Sequence, residues 1–434
     1  MNPHVRRLLA HLREPLNRTG YALTASAMAM AALGVVFWGV AARLYEESVV
    51  GRSAAAIAIV MLLTKIAMLF LDGTLIRFLP RAGVASARFV AVVYCITAVV
   101  AGVAGGVVLL LAHTVVPSLD FLVESVPVAL GFLAATVIWA IFTEEDAALT
   151  GIRRATWVPI ENVSYALVRI ALVIALAAVS PTYGVFVACM LPLLALVPIV
   201  NLALFRWLIP RHVAATRMIA VPMRLRELAV YASANYAGVL MVGLYVMLPP
   251  TLVLEARGAV ASAHFYIPWV VASSMALVGL STGVGLTLEG SITPSKVHSY
   301  LLRATKNTLR LVLPMVLFFL IFAEPFLRFF GESYASEGTT LLRLVALASL
   351  PQIAVSLTVA SLRVERRLRP IVIAHASIAV VVLGLGYFLT VRYDIWGMGA
   401  AYLAANMGVA VVLPLLTGQM SGLFRLRSSP ARNM

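Results

Sequence analysis

The chain has 434 residues, of which 62% are hydrophobic and only 12% charged. A soluble domain carries about a quarter charged residues, so the composition excludes a soluble enzyme and points to an all-α polytopic membrane protein. The formal net charge of +15 is read as basic loops on the cytoplasmic side of a membrane. No basic–aromatic interleaving supports a nucleic-acid partner.

Residues 4–18 come first. Val5, Leu8, Leu9, Leu12 and Leu16 share one helical face, and Arg6, Arg7, His11, Arg13 and Glu14 fall largely off it. This pattern predicts a basic amphipathic helix lying on the membrane surface, residues 1–18. It is not read as a cleaved signal, because the apolar run that follows has the length of a span rather than of a short signal core.

Twelve spans are expected, at 20–42, 53–78, 87–113, 122–146, 157–179, 183–206, 227–250, 259–287, 301–323, 337–361, 370–390 and 396–420. Each approaches or exceeds the roughly 20 residues that cross a bilayer. The connections are short except for 208–226. That division gives an N-lobe at 19–207, a basic cytoplasmic linker at 208–226, a C-lobe at 227–420 and a cytoplasmic tail at 421–434. Cys95 and Cys189 both fall inside spans and read as buried small residues rather than a disulfide.

Charge fixes an expected orientation. With the N-terminus in the cytoplasm, 25 of the 33 Lys and Arg residues fall on inner segments. The outer segments hold only Arg43, Arg52, Arg257, Arg328 and Arg392. This obeys the positive-inside rule and places both termini in the cytoplasm of a multi-pass protein of the cell membrane. At an offset of 213 residues, Arg13-Glu14 falls on Arg226-Glu227, Glu124 on Glu337, Arg153-Arg154 on Arg366-Arg367, and Gly184 on Gly397. All four matches land at equivalent topological points. They imply two six-helix lobes repeated in parallel about a pseudo-two-fold along the membrane normal, with a substrate site between them near mid-membrane.

The second expected span, 53–78, carries the sharpest candidate residue. Lys65 sits at its middle, where a lysine costs roughly 2.5–3.5 kcal/mol on insertion scales. Such a cation either lines a cavity and meets an anionic substrate group or pairs with an acid on a neighbouring helix. Asp72, seven residues on, is expected on nearly the same face, about 10 Å further along the axis. It either belongs to that polar stripe or reaches headgroups and pairs with Arg77. In span five, Asn162, Tyr165 and Arg169 share a face. Arg169 either lines the cavity or pairs with Glu144, Glu145 or Asp146 at the end of span four. Arg343 is read as snorkelling outward. Asn235, Tyr236, His264, Tyr402 and Asn406 are polar enough to line a cavity or to bond between helices. Pro268, Pro314, Pro351 and Pro414 are expected to interrupt helices. No nucleotide loop, metal-ligand spacing or nucleophile elbow is present, so neither a cofactor nor catalysis is expected.

The segment 325–352, PFLRFFGESYASEGTTLLRLVALASLPQ, resembles a recurring feature of polysaccharide and O-antigen flippases of the multidrug/oligosaccharidyl-lipid/polysaccharide (MOP) exporter superfamily. Arg77-Phe78-Leu79-Pro80 closing span two is similar to the same family, as is the run Ile395-Trp396-Gly397-Met398-Gly399-Ala400-Ala401 opening span twelve. The two additional C-terminal spans usual in the lipid II branch are absent from this chain. The resemblance implies paired helical bundles working by alternating access on a polyprenyl-diphosphate-linked saccharide. Other implied partners are membrane lipids, a coupling ion, and glycosyltransferases or a polymerase of the same pathway. It further implies diphosphate-holding cations in the early helices of each lobe, an expectation that Lys65 meets; the C-lobe offers only His264 and, near its outer end, Arg257. Three alternatives stay open: a cation-coupled multidrug antiporter of the same fold using Asp72, a non-transporting membrane scaffold, and a major-facilitator transporter. The last would usually carry an acidic residue in the motif after span two, where this chain has Gly73 leading to Arg77, Phe78, Leu79 and Pro80.

Overall fold

A computed structural model describes residues 15–216, 225–275, 297–365 and 367–418. The expected surface helix up to residue 14, the basic stretch 217–224, the end of the eighth expected span and the tail lie outside the described residues. Among the described residues the chain is helical, with no strand. Ten helical stretches are long and apolar enough to cross a membrane, which makes this an all-α multi-pass membrane protein.

In chain order the helices are α1 (Pro15–Leu44), α2 (Glu47–Met68), α3 (Leu71–Phe78), α4 (Ser86–Val115), α5 (Val126–Gly151), α6 (Trp157–Val179), α7 (Gly184–Ala203) and α8 (Ile209–Thr216). They continue with α9 (Leu225–Met247), α10 (Pro249–Ser274), α11 (Val297–Arg328), α12 (Glu332–Val364), α13 (Leu368–Val380), α14 (Gly386–Tyr393) and α15 (Trp396–Thr417). The chain divides into two compact units between Tyr236 and Ala237, inside α9.

In the first unit α2 is the central helix. Within its most apolar window 72% of residues are buried, against 22% for α6. Its small residues explain this: Ala54, Ala55, Ala56 and Ala58 are all buried and let α4, α5 and α7 approach closely. The remaining helices turn apolar side chains such as Leu110, Val179 and Leu202 outward, as lipid-facing surfaces do. In the second unit α12 plays the same part, with 61% of its window buried and α10, α11 and α15 packed around it.

Four expectations need correction. The expected span 53–78 is not one helix. It stops at Met68, Leu69 (φ 49°) and Phe70 (φ 62°) turn left-handed, and α3 begins at Leu71. An L-residue in that region costs roughly 1–2 kcal/mol. Packing compensates, because the Phe70 ring folds back over Gly73, where a Cβ would lie only 2.5 Å from a ring atom. The linker 208–226 is not wholly a loop, since α7 runs through a π-helical turn at Leu204–Leu208 into α8. The prolines Pro268, Pro314, Pro351 and Pro414 sit inside helices that continue past them; the backbone departs from helix at Gly258 and Phe322 instead. Cys95 is exposed on the outward face of α4, whereas Cys189 is buried.

Candidate functional site

The break between α2 and α3 repositions the two residues singled out there. Lys65 lies in the last turn of α2 and Asp72 in the first turn of α3. Each therefore has the sign that a helix end favours, a cation at the C-terminus and an anion at the N-terminus. The shared-face relation expected of a continuous helix is lost at the left-handed pair. The Lys65 ammonium is half-buried and its hydrogen-bond contact is the Met68 sulfur at 3.9 Å. No carboxylate lies within ion-pair distance of it among the described residues. Lys65 and Asp72 both act electrostatically on Glu144 of α5.

Glu144 opens a buried acidic cluster. Its Oε1 accepts the Thr97 hydroxyl of α4 at 3.2 Å, and its Oε2 is buried without a partner. Asp146 accepts the Asn162 amide of α6 at 3.1 Å. Glu145 of α5 and Glu161 of α6 adjoin each other, with all four carboxyl oxygens buried and no other residue donating to them. The Tyr94 hydroxyl of α4 points among these carboxyls and is likewise buried without a partner. Burying a carboxylate is unfavourable unless something compensates its charge. Two carboxyls side by side relieve that penalty by holding a cation between them. Among the described residues no group of three or more His, Cys, Asp or Glu residues is arranged for a metal ion.

Arg169, for which cavity lining and pairing with Glu144, Glu145 or Asp146 were both open, stacks on aromatic rings. Its guanidinium lies 4.8 Å from the ring centre of Phe37 on α1 and 5.2 Å from that of Tyr165, one turn away on α6. Cation–π contacts of this kind help to hold a half-buried cation. Tyr165 donates to the Cys189 carbonyl of α7 at 3.0 Å. The expected stripe Asn162–Tyr165–Arg169 is thus divided among three neighbours.

The remaining polar candidates mostly serve their own helices. The Asn235 amide donates to the Tyr231 carbonyl at 2.9 Å, and that of Asn406 to the Tyr402 carbonyl at 2.8 Å, both one turn back. Tyr236 does bond between helices, to the Ile66 carbonyl at 3.0 Å, next to Lys65. In the second unit His264 is buried with its ring edge-on to Tyr334, centres 4.9 Å apart. Arg257 donates to the Thr390 carbonyl at 3.1 Å. Sequence reasoning missed Glu161, Tyr94 and Thr97. The signal for Glu161 was a carboxylate at the start of a span facing the acidic run that ends the previous one; nothing in the sequence marked Tyr94 or Thr97.

No family model matches the sequence, and no curated protein does. The fold does match solved transporters. An inward-facing multidrug resistance MATE family transporter of the MOP superfamily superposes with a TM-score of 0.65 at 16% identity, covering 94% of this chain and 100% of that one. The lipid II flippase MurJ, in an inward closed conformation, superposes at 0.57 with 13% identity, covering 95% and 93%. A MOP superfamily transporter from Pyrococcus furiosus, in which reverse polarity of the binding pocket suggests a different function, superposes at 0.55 with 15% identity, covering 93% and 96%. The chain therefore has the fold shared by these MOP superfamily transporters.

Proposed function

We propose that this protein is a non-enzymatic transporter of the polysaccharide flippase type, moving a polyprenyl-diphosphate-linked saccharide across the cell membrane by alternating access. The observation that carries the reading is Lys65. It is a cation without a carboxylate partner among the described residues, next to a break in the most buried helix of its unit. Non-helical backbone at membrane depth is tolerated where it is covered by protein or lines a cavity, and broken helices of this kind mark transporter substrate sites. A diphosphate entering a low-dielectric region needs a cation to meet it. A single lysine meets it without holding it too tightly for release. An anion moving outward also gains about 2.3 kcal/mol per charge per 100 mV when the inside is negative. The flippase and the multidrug transporters among the structural neighbours are both compatible with this fold.

A second reading rests on the acidic cluster. Glu144, Glu145, Asp146 and Glu161 suit a proton-coupled exchanger of organic cations, as a multidrug antiporter would be. Depletion of the protein in its own cell separates the two. The flippase reading expects lipid-linked saccharide to accumulate on the inner leaflet and the surface polymer to fall. An unchanged polymer together with lost efflux of organic cations would replace it with the antiporter.

A further inference from the structure

Three segments of the first unit meet: the turn after α5, the tight turn Leu79–Arg81 after α3, and α8. Their undersides form one apolar floor, with Leu79, Leu149, Ile152, Leu204, Leu208 and Ile209 all buried. Gly151 lets α5 sit directly on this floor, since a Cβ there would lie 2.9 Å from the Leu75 carbonyl oxygen and 3.0 Å from Leu79. Above the floor is a cavity of about 370 Å³ lined by Arg153, Arg154, Arg211, His212, Thr216 and Pro80 among others.

Among the described residues no carboxylate lines this cavity. The ion pairs among the described residues do not involve its three arginines. Arg153 is held left-handed at φ 61°, a conformation an L side chain resists, by two turn hydrogen bonds. Its own N–H donates to the Thr150 carbonyl at 3.0 Å, and that of Arg154 to the Leu149 carbonyl at 2.8 Å. His212 is buried with Nε2 3.1 Å from the Leu79 carbonyl oxygen. A carbonyl only accepts, so Nε2 carries the proton and the ring is fixed as a wall rather than a ligand. Three arginines lining one concavity bring forked donors that match phosphate oxygens.

We propose that this basic pocket, formed by Arg153, Arg154 and Arg211, is a binding site for a phosphate group. The inference does not rest on the transport reading, because it uses neither Lys65 nor the acidic cluster. Two sources share the chemistry. One is the headgroup of an anionic membrane lipid, which basic pockets at the ends of spans suit; the other is a soluble phosphate compound.

The test uses the full-length protein in neutral detergent, the triple variant Arg153→Gln, Arg154→Gln, Arg211→Gln, and a charge-keeping control with lysine at the same three positions. One arm compares retention of phosphatidylglycerol with that of phosphatidylcholine by native mass spectrometry. The other compares the unfolding midpoint in inorganic pyrophosphate with that in chloride at matched ionic strength. The expected result is preferential phosphatidylglycerol binding by the wild type, weakened about tenfold or more in the glutamine variant and partly kept in the lysine control. A pyrophosphate shift in the wild type alone, with equal lipid retention in wild type and variant, assigns the site to a soluble phosphate. If neither ligand distinguishes wild type from the glutamine variant, the proposal is overturned. Should the triple variant not fold, Arg211→Gln alone, at an exposed position of α8, carries the same comparison.

Discussion

The Thr97 hydroxyl donates to Glu144 Oε1 at 3.2 Å, joining α4 to α5 through two side chains that are wholly buried. This bond satisfies one oxygen of one acid in a group of four. The strongest consequence falls on its neighbours, Glu145 and Glu161, which face each other with no donor from another residue.

Glu145→Gln is expected to stabilise the fold, because the amide gives Glu161 a donor that does not depend on a shared proton. Relief of an unsatisfied buried group is worth roughly 1–3 kcal/mol. The unfolding midpoint in detergent should rise. If the cluster couples transport to protons, the same variant should transport without response to an imposed pH gradient. A lowered midpoint would mean that the carboxyl pair stabilises the native packing.

Lys65→Ala should leave the protein folded and reduce transport of a labelled lipid-linked saccharide in liposomes by roughly 10–100-fold, the scale of a lost charge-assisted contact. Lys65→Arg should keep part of the activity. Wild-type rates in Lys65→Ala would assign the residue to helix-end stabilisation alone. Arg169→Ala is the contrast, since its guanidinium covers Phe37 and Tyr165. Reduced expression and a lower unfolding midpoint are expected there.

Gly151→Val should destabilise the first unit. The added side chain meets the Leu75 carbonyl oxygen and Leu79, in a floor with no room to yield. Overpacking of this kind costs about 1–3 kcal/mol. A fall of several degrees in the unfolding midpoint would be measured, and an unchanged midpoint would show that α5 can shift away from α3.

Orientation can be read by cysteine labelling. Cys95 is exposed on α4, so Cys95→Ser should be neutral within about 0.5 kcal/mol, and Cys189→Ala completes the background. In that background Arg211→Cys should resist a membrane-impermeant thiol reagent in intact cells, and Thr182→Cys should react. Labelling of position 211 from outside would invert the assignment made from charge.

The sequence by itself settled the class of the molecule. Length and apolarity of the segments are properties of each helix alone, since a bilayer demands roughly 20 apolar residues whatever the neighbours are. The candidate residues Lys65 and Asp72 were visible for the same reason: a charge inside an apolar run stands out without any partner. What each charge does depends on the surroundings. Periodicity carried Lys65 and Asp72 onto one face, but the fold of Phe70 over Gly73 broke the helix between them, and ring packing of that kind leaves no mark in a hydropathy pattern. Likewise Arg169 came to lie over the rings of Phe37 and Tyr165, and Glu161 joined Glu145. Both outcomes were decided by which faces of α1, α4, α5 and α6 meet, because part of each contact set comes from a neighbouring helix that the residue's own sequence pattern does not reveal.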